Sequence, residues 1–156
     1  MKYFSLIAFL FFFACSSTRP VTATQHILPM NTSLNGKLFS SFFHQRAAEY
    51  RALCLQGYNI ARMRIDNFSA LTAKPKAIIT DIDETILDNS PYAVHQAYSG
   101  KEYDSPSWYE WTEKAAADTM PGAAAFLRYA VSKSIEIFYI TNRDEKERTA
   151  TLKNLQ

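Results

Sequence analysis

The sequence predicts an α/β fold built on a parallel sheet. Two short apolar runs carry this prediction, Ala-Ile-Ile at residues 77–79 and Ile-Glu-Ile-Phe-Tyr-Ile at residues 135–140. The first run is typical of a strand that is buried on both faces, as in parallel sheets. Each run is followed by polar residues, and the carboxyl ends of strands border the ligand crevice in open α/β sheets. We therefore expect a functional site where the two strands end.

A processing signal is predicted at residues 1–15. A basic second residue precedes an apolar stretch that is too short to span a bilayer comfortably. The stretch ends at Cys15, directly after Ala14, and such a cysteine is where bacterial lipoproteins are cut and acylated. The alternative is ordinary cleavage after Ala23, which closes another small-residue site. We expect an exported protein, held at the outer membrane or cell surface if Cys15 is lipidated and periplasmic if it is not.

A tether and a long helix are predicted next. Residues 16–37 are rich in Ser, Thr, Pro and Asn without periodicity, which is typical of a flexible linker. From about residue 38 to residue 68, apolar residues recur at steps of three and four, which predicts an amphipathic helix. Its apolar face comprises Phe43, Ala47, Tyr50, Cys54, Tyr58, Ala61, Ile65 and Phe68. Because Cys54 lies on this face, we expect a buried structural thiol.

Two carboxylates separated by one residue follow the first strand. Asp81 and Asp83 stand at its predicted carboxyl end. Such a pair can divide the work of phosphoryl transfer, because one ionised carboxylate attacks phosphorus while a protonated neighbour delivers a proton to the leaving oxygen. A magnesium ion would screen the repulsion between the attacking carboxylate and the phosphate.

The residues after the second strand decide between this chemistry and two simpler interpretations. Acidic residues ahead of a helix can merely cap it, and a calcium loop also begins with alternating oxygen ligands. The calcium loop is excluded, because its sixth position is Ile86 instead of glycine and its twelfth is Tyr92 instead of glutamate. The second strand ends in Thr-Asn-Arg at residues 141–143, a hydroxyl and a guanidinium that suit a phosphate. Together the two strand ends indicate a phosphoryl-transfer site.

The segment between the strands is aromatic, and its role stays open. Its rings are Tyr92, Tyr98, Tyr103, Trp108, Tyr109 and Trp111. They could stack a nucleoside or an aryl leaving group, with Trp108 the best candidate, or pack the segment onto the sheet. A helix is then predicted to begin at Pro121. A final helix is predicted after Asp144, where Glu147 completes a capping box.

Two motifs resemble those of a known family. Residues 81–85 (Asp-Ile-Asp-Glu-Thr) and 87–92 (Leu-Asp-Asn-Ser-Pro-Tyr) resemble the first motif of the haloacid dehalogenase (HAD) superfamily. More narrowly, they resemble that of the class C nonspecific acid phosphatases, which are bacterial lipoproteins. Residues 138–143 resemble the second motif of that family. The resemblance implies a HAD-like parallel sheet in a phosphatase domain over residues 38–156, with a helical cap inserted at about residues 90–118 and the amphipathic helix outside.

The resemblance also implies a role for each motif residue. Asp81 would be the nucleophile and a magnesium ligand, and Asp83 would be the general acid and base that coordinates the metal through its backbone carbonyl. Thr141 would hold a phosphate oxygen, with Asn142 and Arg143 beside it. The implied reaction is hydrolysis of small organic phosphates, such as nucleotides or aryl phosphates, through an aspartyl-phosphate.

The sequence also departs from this family. Its members continue to a later lysine and to an acidic Gly-Asp-Asn motif that supplies the remaining magnesium ligand, and neither stands before Gln156. We therefore expect the N-terminal part of the fold, poor as a catalyst and marginal in stability by itself.

The alternative function is an inactive surface lipoprotein that only binds a ligand. The expected partners are a small phosphomonoester, a membrane through the lipid anchor and a second copy in a homodimer. Dispersed charge with a net value of +2 gives no nucleic-acid patch.

Overall fold

Helices and short strands alternate along the part of the chain that the computed structural model describes, residues 32–69 and 74–156. The elements in chain order are α1 (Thr32–Arg46), α2 (Ala48–Ser69), β1 (Ala77–Thr80), β2 (Leu87–Asp88), α3 (Ser90–Tyr98), α4 (Ser105–Glu113), β3 (Asp118–Thr119), α5 (Ala123–Ser132), β4 (Glu136–Tyr139) and α6 (Arg148–Asn154). A 3-10 turn at Glu145–Glu147 precedes α6. The predicted signal peptide and Cys15 lie outside the described residues. Across the described ranges, no helix combines the length and the apolar character that a membrane span requires.

The central sheet is formed by β1 and β4, which pair in parallel with Ile78 opposite Ile137. This confirms the predicted α/β fold and both predicted strands. The backbone N–H of Ile140 donates to the carbonyl of Thr80 at 2.9 Å, so the pairing continues past the end of β4. Because the strands are parallel, both carboxyl ends lie at the same edge of the sheet.

The prediction that the first strand is buried on both faces is wrong for the described residues. Ile79 is 70% exposed. In the described part of the chain this sheet has two strands, and Ile79 points to the face that no described element covers. The apolar sequence of β1 therefore does not by itself show which of its faces is covered.

The predicted long helix is divided at Ala47. Hydrogen bonds continue through the division, from the Ala47 N–H to the Phe43 carbonyl at 3.0 Å and from the Arg51 N–H to the Ala47 carbonyl at 3.3 Å. The two helices have different neighbours, because α1 packs against α3 while α2 packs against α5. Since α1 begins at Thr32, residues 32–37, which were predicted as part of the tether, are helical.

The predicted apolar face lies mainly on α2. Its half-buried members are Ala47, Tyr50, Cys54, Tyr58, Ala61 and Ile65, whereas Phe43 and Phe68 at the two ends of the face are exposed. Tyr50, Cys54 and Tyr58 pack against the buried core. Cys54 was predicted to be buried and is half-buried, and it makes no disulfide within the described residues.

The core lies directly behind the acidic pair. It consists of Ile82, Ile86, Leu87, Met120 and Ala123. Ile82 stands between the two aspartates in the sequence and is 2% exposed. Full burial of such a side chain contributes roughly 1.5–3 kcal/mol to folding. The core therefore anchors the loop after β1 at its middle residue.

Gly122 explains why α5 begins at Ala123 instead of at the predicted Pro121. Its φ angle of 94° is in the left-handed region, which interrupts the helical backbone just before Ala123. A Cβ atom at Gly122 would lie 3.1 Å from Cδ2 of Tyr58 and 3.2 Å from Cδ2 of Leu55. The absence of a side chain thus lets the start of α5 approach α2 closely.

Gly122→Ala should therefore destabilise the fold by about 2 kcal/mol, from the strained backbone and the contact with Tyr58. The matched control is Gly57→Ala within α2, where a Cβ would meet nothing within 4 Å. That control should stabilise the helix by up to about 1 kcal/mol. Urea unfolding of both variants measures the two effects, and equal changes of the same sign would contradict this account.

Candidate active site

The loop after β1 turns back sharply on itself. The carbonyl of Ile82 accepts the N–H groups of Ile86 at 2.8 Å and Leu87 at 2.9 Å, and Glu84 takes a φ of 54°. Asp81, which directly follows β1, is exposed to solvent. The hydroxyl of Thr85 donates to Oδ2 of Asp81 at 3.3 Å. The loop thus presents the Asp81 carboxylate at the sheet edge, open to an incoming ligand.

Asp83 is held by residues from two other parts of the chain. Nη2 of Arg143 donates to its Oδ1 at 2.6 Å, and Nε of Arg143 donates to its Oδ2 at 3.1 Å. Nδ2 of Asn89 donates to the same Oδ1 at 2.8 Å. The Arg143 side chain is 3% exposed and that of Asp83 is 22% exposed, so this forked ion pair is largely withdrawn from water. The structure therefore joins the two strand ends through Asp83 and Arg143.

The third nitrogen of the Arg143 guanidinium also bonds to a protein side chain. Its Nη1 donates to the hydroxyl of Thr151 in α6 at 3.0 Å, and its guanidinium carbon lies 5.7 Å from the centre of the Trp108 ring. Arg143 was predicted to bind phosphate, whereas in this structure its Nε and Nη2 face Asp83. Sequence reasoning missed that partner, because a carboxylate and a phosphate suit a guanidinium equally well.

The remaining phosphate-site candidates lie beside Arg143. The backbone N–H of Arg143 donates to the hydroxyl oxygen of Thr141 at 3.2 Å, so the Thr141 hydroxyl serves there as an acceptor. Its own O–H is the group that can donate to a phosphate oxygen. Asn142 is exposed. Trp108 is half-buried, with the centre of its ring 5.2 Å from that of Tyr92 in an edge-to-face arrangement.

The aromatic segment leaves and rejoins the fold at one place. β2 and β3 pair antiparallel, with Leu87 opposite Thr119, so residues 89–117 form an insertion whose two ends meet beside the acidic loop. Within it, Nε2 of Gln96 donates to the Ser107 hydroxyl at 2.9 Å and joins α3 to α4. α4 is in turn tied to the C-terminal region, because the Thr112 hydroxyl donates to Oε1 of Glu147 at 2.9 Å.

Sequence reasoning gave Asn89 and Trp111 no contact with the acidic pair, whereas the structure places them beside it. The indole Nε1 of Trp111, in α4, donates to Oδ1 of Asn89 at 2.9 Å. Asn89 is 3% exposed, and its other side-chain bond is the one to Asp83. In the sequence Asn89 stands within the motif at residues 87–92 and Trp111 stands among the aromatic rings, and neither position indicates that the two side chains bond to each other.

Glu84 has a raised pKa. Partial desolvation of its carboxyl group is the main cause, and the negative charge of Asp83 adds to it. The backbone N–H of Asn89, 3.1 Å from Oε1 of Glu84, acts in the opposite direction by favouring the ionised form. The ionised form of Glu84 is therefore disfavoured both by its partial removal from water and by the neighbouring charge of Asp83.

The oxygen atoms of the loop suit a hard divalent cation that keeps part of its water shell. Within residues 32–69 and 74–156, no cluster of three or more His, Cys, Asp or Glu side chains is placed to hold a metal ion. The loop offers the carboxylate of Asp81 and the backbone carbonyl of Asp83. Mg²⁺ commonly binds through one or two carboxylates and completes its octahedron with water and substrate phosphate. The residues present thus fit magnesium.

Comparison with known proteins identifies the family. The family described as "HAD superfamily, subfamily IIIB (Acid phosphatase)" matches residues 3–156. The chain belongs to this family. Two solved structures of the class C acid phosphatase from Bacillus anthracis, one with tungstate bound, match this subfamily IIIB chain at 40% identity with a TM-score of 0.74. The match covers 78% of this chain and 52% of theirs.

A curated plant relative is more distant. Acid phosphatase 1 of Solanum lycopersicum is 29% identical over 77 residues, which is 49% of this subfamily IIIB chain and 30% of the tomato protein. The chain therefore spans about half, or less, of the length of the relatives it matches. The predicted resemblance and the HAD-like fold are confirmed for the matched part.

Proposed function

We propose that the protein hydrolyses phosphomonoesters through an aspartyl-phosphate formed on Asp81. The observation that carries this proposal is the exposed Asp81 carboxylate at the end of β1, two residues before a carboxylate held by Arg143 from the neighbouring strand. Membership of an acid phosphatase family supports it. So does the tungstate bound to the Bacillus anthracis enzyme, since tungstate is a tetrahedral oxyanion like phosphate.

The first step is attack of an Asp81 carboxylate oxygen on phosphorus, which breaks the bond to the ester oxygen. The leaving oxygen takes a proton from the Asp83 carboxyl group, and the O–H of Thr141 donates to a phosphate oxygen. A divalent metal ion, which HAD phosphatases generally use, would offset the repulsion between carboxylate and phosphate when held by Asp81 and the Asp83 carbonyl.

The second step releases phosphate and restores Asp81. Asp83, now ionised, takes a proton from a water molecule, whose oxygen attacks the phosphorus of the aspartyl-phosphate. Oδ1 and Oδ2 of Asp83 accept hydrogen bonds from Arg143, and Oδ1 accepts another from Asn89, which supports the proposal because these contacts hold the carboxyl group in one place. Asp83 must therefore gain and lose one proton in every cycle.

We infer that the substrates are small organic phosphates and that the insertion acts as a cap over them. Asp81 is exposed, and the half-buried ring of Trp108 lies near Arg143 on the insertion side of the site. An aromatic ring there can stack on a nucleoside or aryl group. Cleavage of the signal peptide, acylation of Cys15, an outer-membrane or periplasmic location and a homodimer stay predictions.

Hydrolysis of an aryl phosphate should depend on a hard divalent cation. Exhaustive treatment with a chelator should abolish the release of the phenol, and added Mg²⁺ should restore it, because only oxygen ligands are offered by the loop. The measurement is the initial rate before chelation, after it and after adding back the metal. Full activity after chelation would contradict the metal assignment. Binding of phosphate without any turnover would instead favour the inactive, ligand-binding alternative.

A further inference from the structure

Asn89 occupies a position where asparagine usually caps a helix, and it makes no cap. It is the residue directly before α3, where an asparagine side chain normally accepts an N–H group of the first helical turn. No such side-chain bond is formed. The side chain is instead buried, with 3% of its surface exposed, and both of its polar atoms bond to other side chains. The Asn89 side chain therefore makes these two contacts in place of a helix cap.

The two contacts fix the amide in one orientation. Nδ2 donates at 2.8 Å to Oδ1 of Asp83, an oxygen that also accepts a hydrogen bond from Arg143. Oδ1 faces the indole N–H of Trp111, which donates and cannot accept, at 2.9 Å. A flipped amide would set two donors against each other on one side and two acceptors on the other. Asn89 therefore connects a donor in α4 to the acidic loop with defined polarity.

The contact from Asn89 completes the support of the Asp83 carboxylate. Arg143 approaches both carboxylate oxygens, at 2.6 Å from Oδ1 and 3.1 Å from Oδ2. Asn89 approaches Oδ1 from the position directly before α3, in a different part of the chain. Arg143 provides the positive charge beside the Asp83 carboxylate, and Asn89 provides a hydrogen bond to it from a second direction. Because Asn89 is itself held by Trp111, the direction of the carboxylate depends on where α4 lies.

We propose that Asn89 is a positioning residue that aims the Asp83 carboxyl group at the leaving oxygen, and that Trp111 sets Asn89 according to the position of α4. The inference rests on the proposed function, since it concerns the proton transfer assigned to Asp83. It couples docking of the aromatic insertion to the acid step. A substrate that prevents α4 from packing in this position would bind with the Asp83 carboxyl group misaligned with the leaving oxygen.

Leaving groups of different basicity test the coupling. Asn89→Asp keeps the size of the side chain and an acceptor for Trp111 but sets an oxygen against Asp83. It should lower kcat for an alkyl phosphate by about 10-fold or more, which is part of the ~10²–10⁴-fold that positioned proton transfer contributes in total. The loss for an aryl phosphate should be smaller, because an aryl oxide needs little protonation. Trp111→Phe should also lower kcat more for the alkyl phosphate than for the aryl phosphate, and this difference should be smaller than in Asn89→Asp.

Asn154→Leu is the matched control. Asn154 also ties two segments together, through its bonds to the N–H and carbonyl of Ala117 at 3.1 and 2.8 Å, and it does not contact Asp83. This variant should lower the free energy of unfolding while leaving the ratio of alkyl to aryl turnover unchanged. A purely structural role for Asn89 predicts the same behaviour in Asn89→Asp.

A spectroscopic measurement follows the contact itself. The sequence contains two tryptophans, so ¹⁵N-indole spectra hold two side-chain signals, which Trp108→Phe and Trp111→Phe assign. Asn89→Leu should shift the Trp111 indole signal and speed its exchange with water, and the Trp108 signal should change less. An unmoved Trp111 signal in folded Asn89→Leu would overturn the inference.

Failure of the inference and failure of the proposed function have different results. An active wild-type protein whose Asn89→Asp variant loses alkyl and aryl turnover equally would overturn the inference alone. A wild-type protein that hydrolyses neither ester would overturn the proposed function, and the inference with it. Recovery of the alkyl-to-aryl ratio in Asn89→Gln, relative to Asn89→Asp, would support the need for an amide donor.

Discussion

Replacing Asp81 with asparagine should lower the turnover of phosphomonoesters by at least ~10³-fold, as expected when the attacking group is lost. The amide keeps the shape of the side chain and its contact with Thr85, so the fold should be unchanged. It removes the negative charge of the group that we propose as the nucleophile. Steady-state rates with an aryl phosphate and acid-quench trapping of the phosphoenzyme measure the two consequences.

The matched control for this prediction is Asp118→Asn. Asp118 is an exposed aspartate in β3 whose Oδ1 accepts the N–H of Thr119. Its described hydrogen bond is to Thr119 and not to Asp81 or Asp83, so its replacement should change turnover less than about twofold. A labelled phosphoenzyme that still forms in Asp81→Asn would show that another residue is the nucleophile.

Replacing Arg143 with methionine should destabilise the fold by about 3 kcal/mol, because it leaves a partly buried carboxylate without its partner. The Arg143 side chain is 3% exposed and bonds to Asp83 and Thr151, so methionine fills the space but restores none of these contacts. Because Asp83 is 22% exposed, water can solvate part of its charge, which places the cost near the lower end of the range for broken buried pairs.

Arg148→Met provides the comparison within the same region. Arg148 pairs with Glu145 at 2.7 Å, but these side chains are 68% and 80% exposed. An exposed pair contributes at most about 1 kcal/mol, so this variant should unfold at nearly the wild-type urea concentration. Equal destabilisation by the two substitutions would show that burial does not govern the Arg143 contact.

The features that the sequence predicted correctly are local ones. The strands at residues 77–79 and 135–140 show as apolar runs that end in polar residues, and such runs need no knowledge of distant neighbours. The capping box of Asp144 and Glu147 depends on a three-residue spacing, and both of its bonds are present. Acidic residues at one strand end and Thr-Asn-Arg at the other are likewise visible in the sequence.

The features that were missed depend on partners far apart in the chain. The division at Ala47 separates a helix that packs on α3 from one that packs on α5, and helical periodicity carries no record of such a change of neighbour. α5 begins only after Gly122, whose left-handed backbone lies close to Tyr58 and Leu55 of α2. The bond from Trp111 to Asn89 crosses most of the insertion. Each of these choices is made by tertiary packing, which overrides local preference.

The short ladder of β2 and β3 has an evolutionary consequence. Leu87 and Thr119 are opposite each other, so the two ends of the insertion are separated by about 5 Å, the usual Cα spacing of antiparallel partners. A segment that begins and ends at one point can change its length or sequence at little entropic cost to the sheet. Residues 89–117 can thus diversify as a module, within the limit that Asn89 and Trp111 set, while the loop that carries Asp81 stays unchanged.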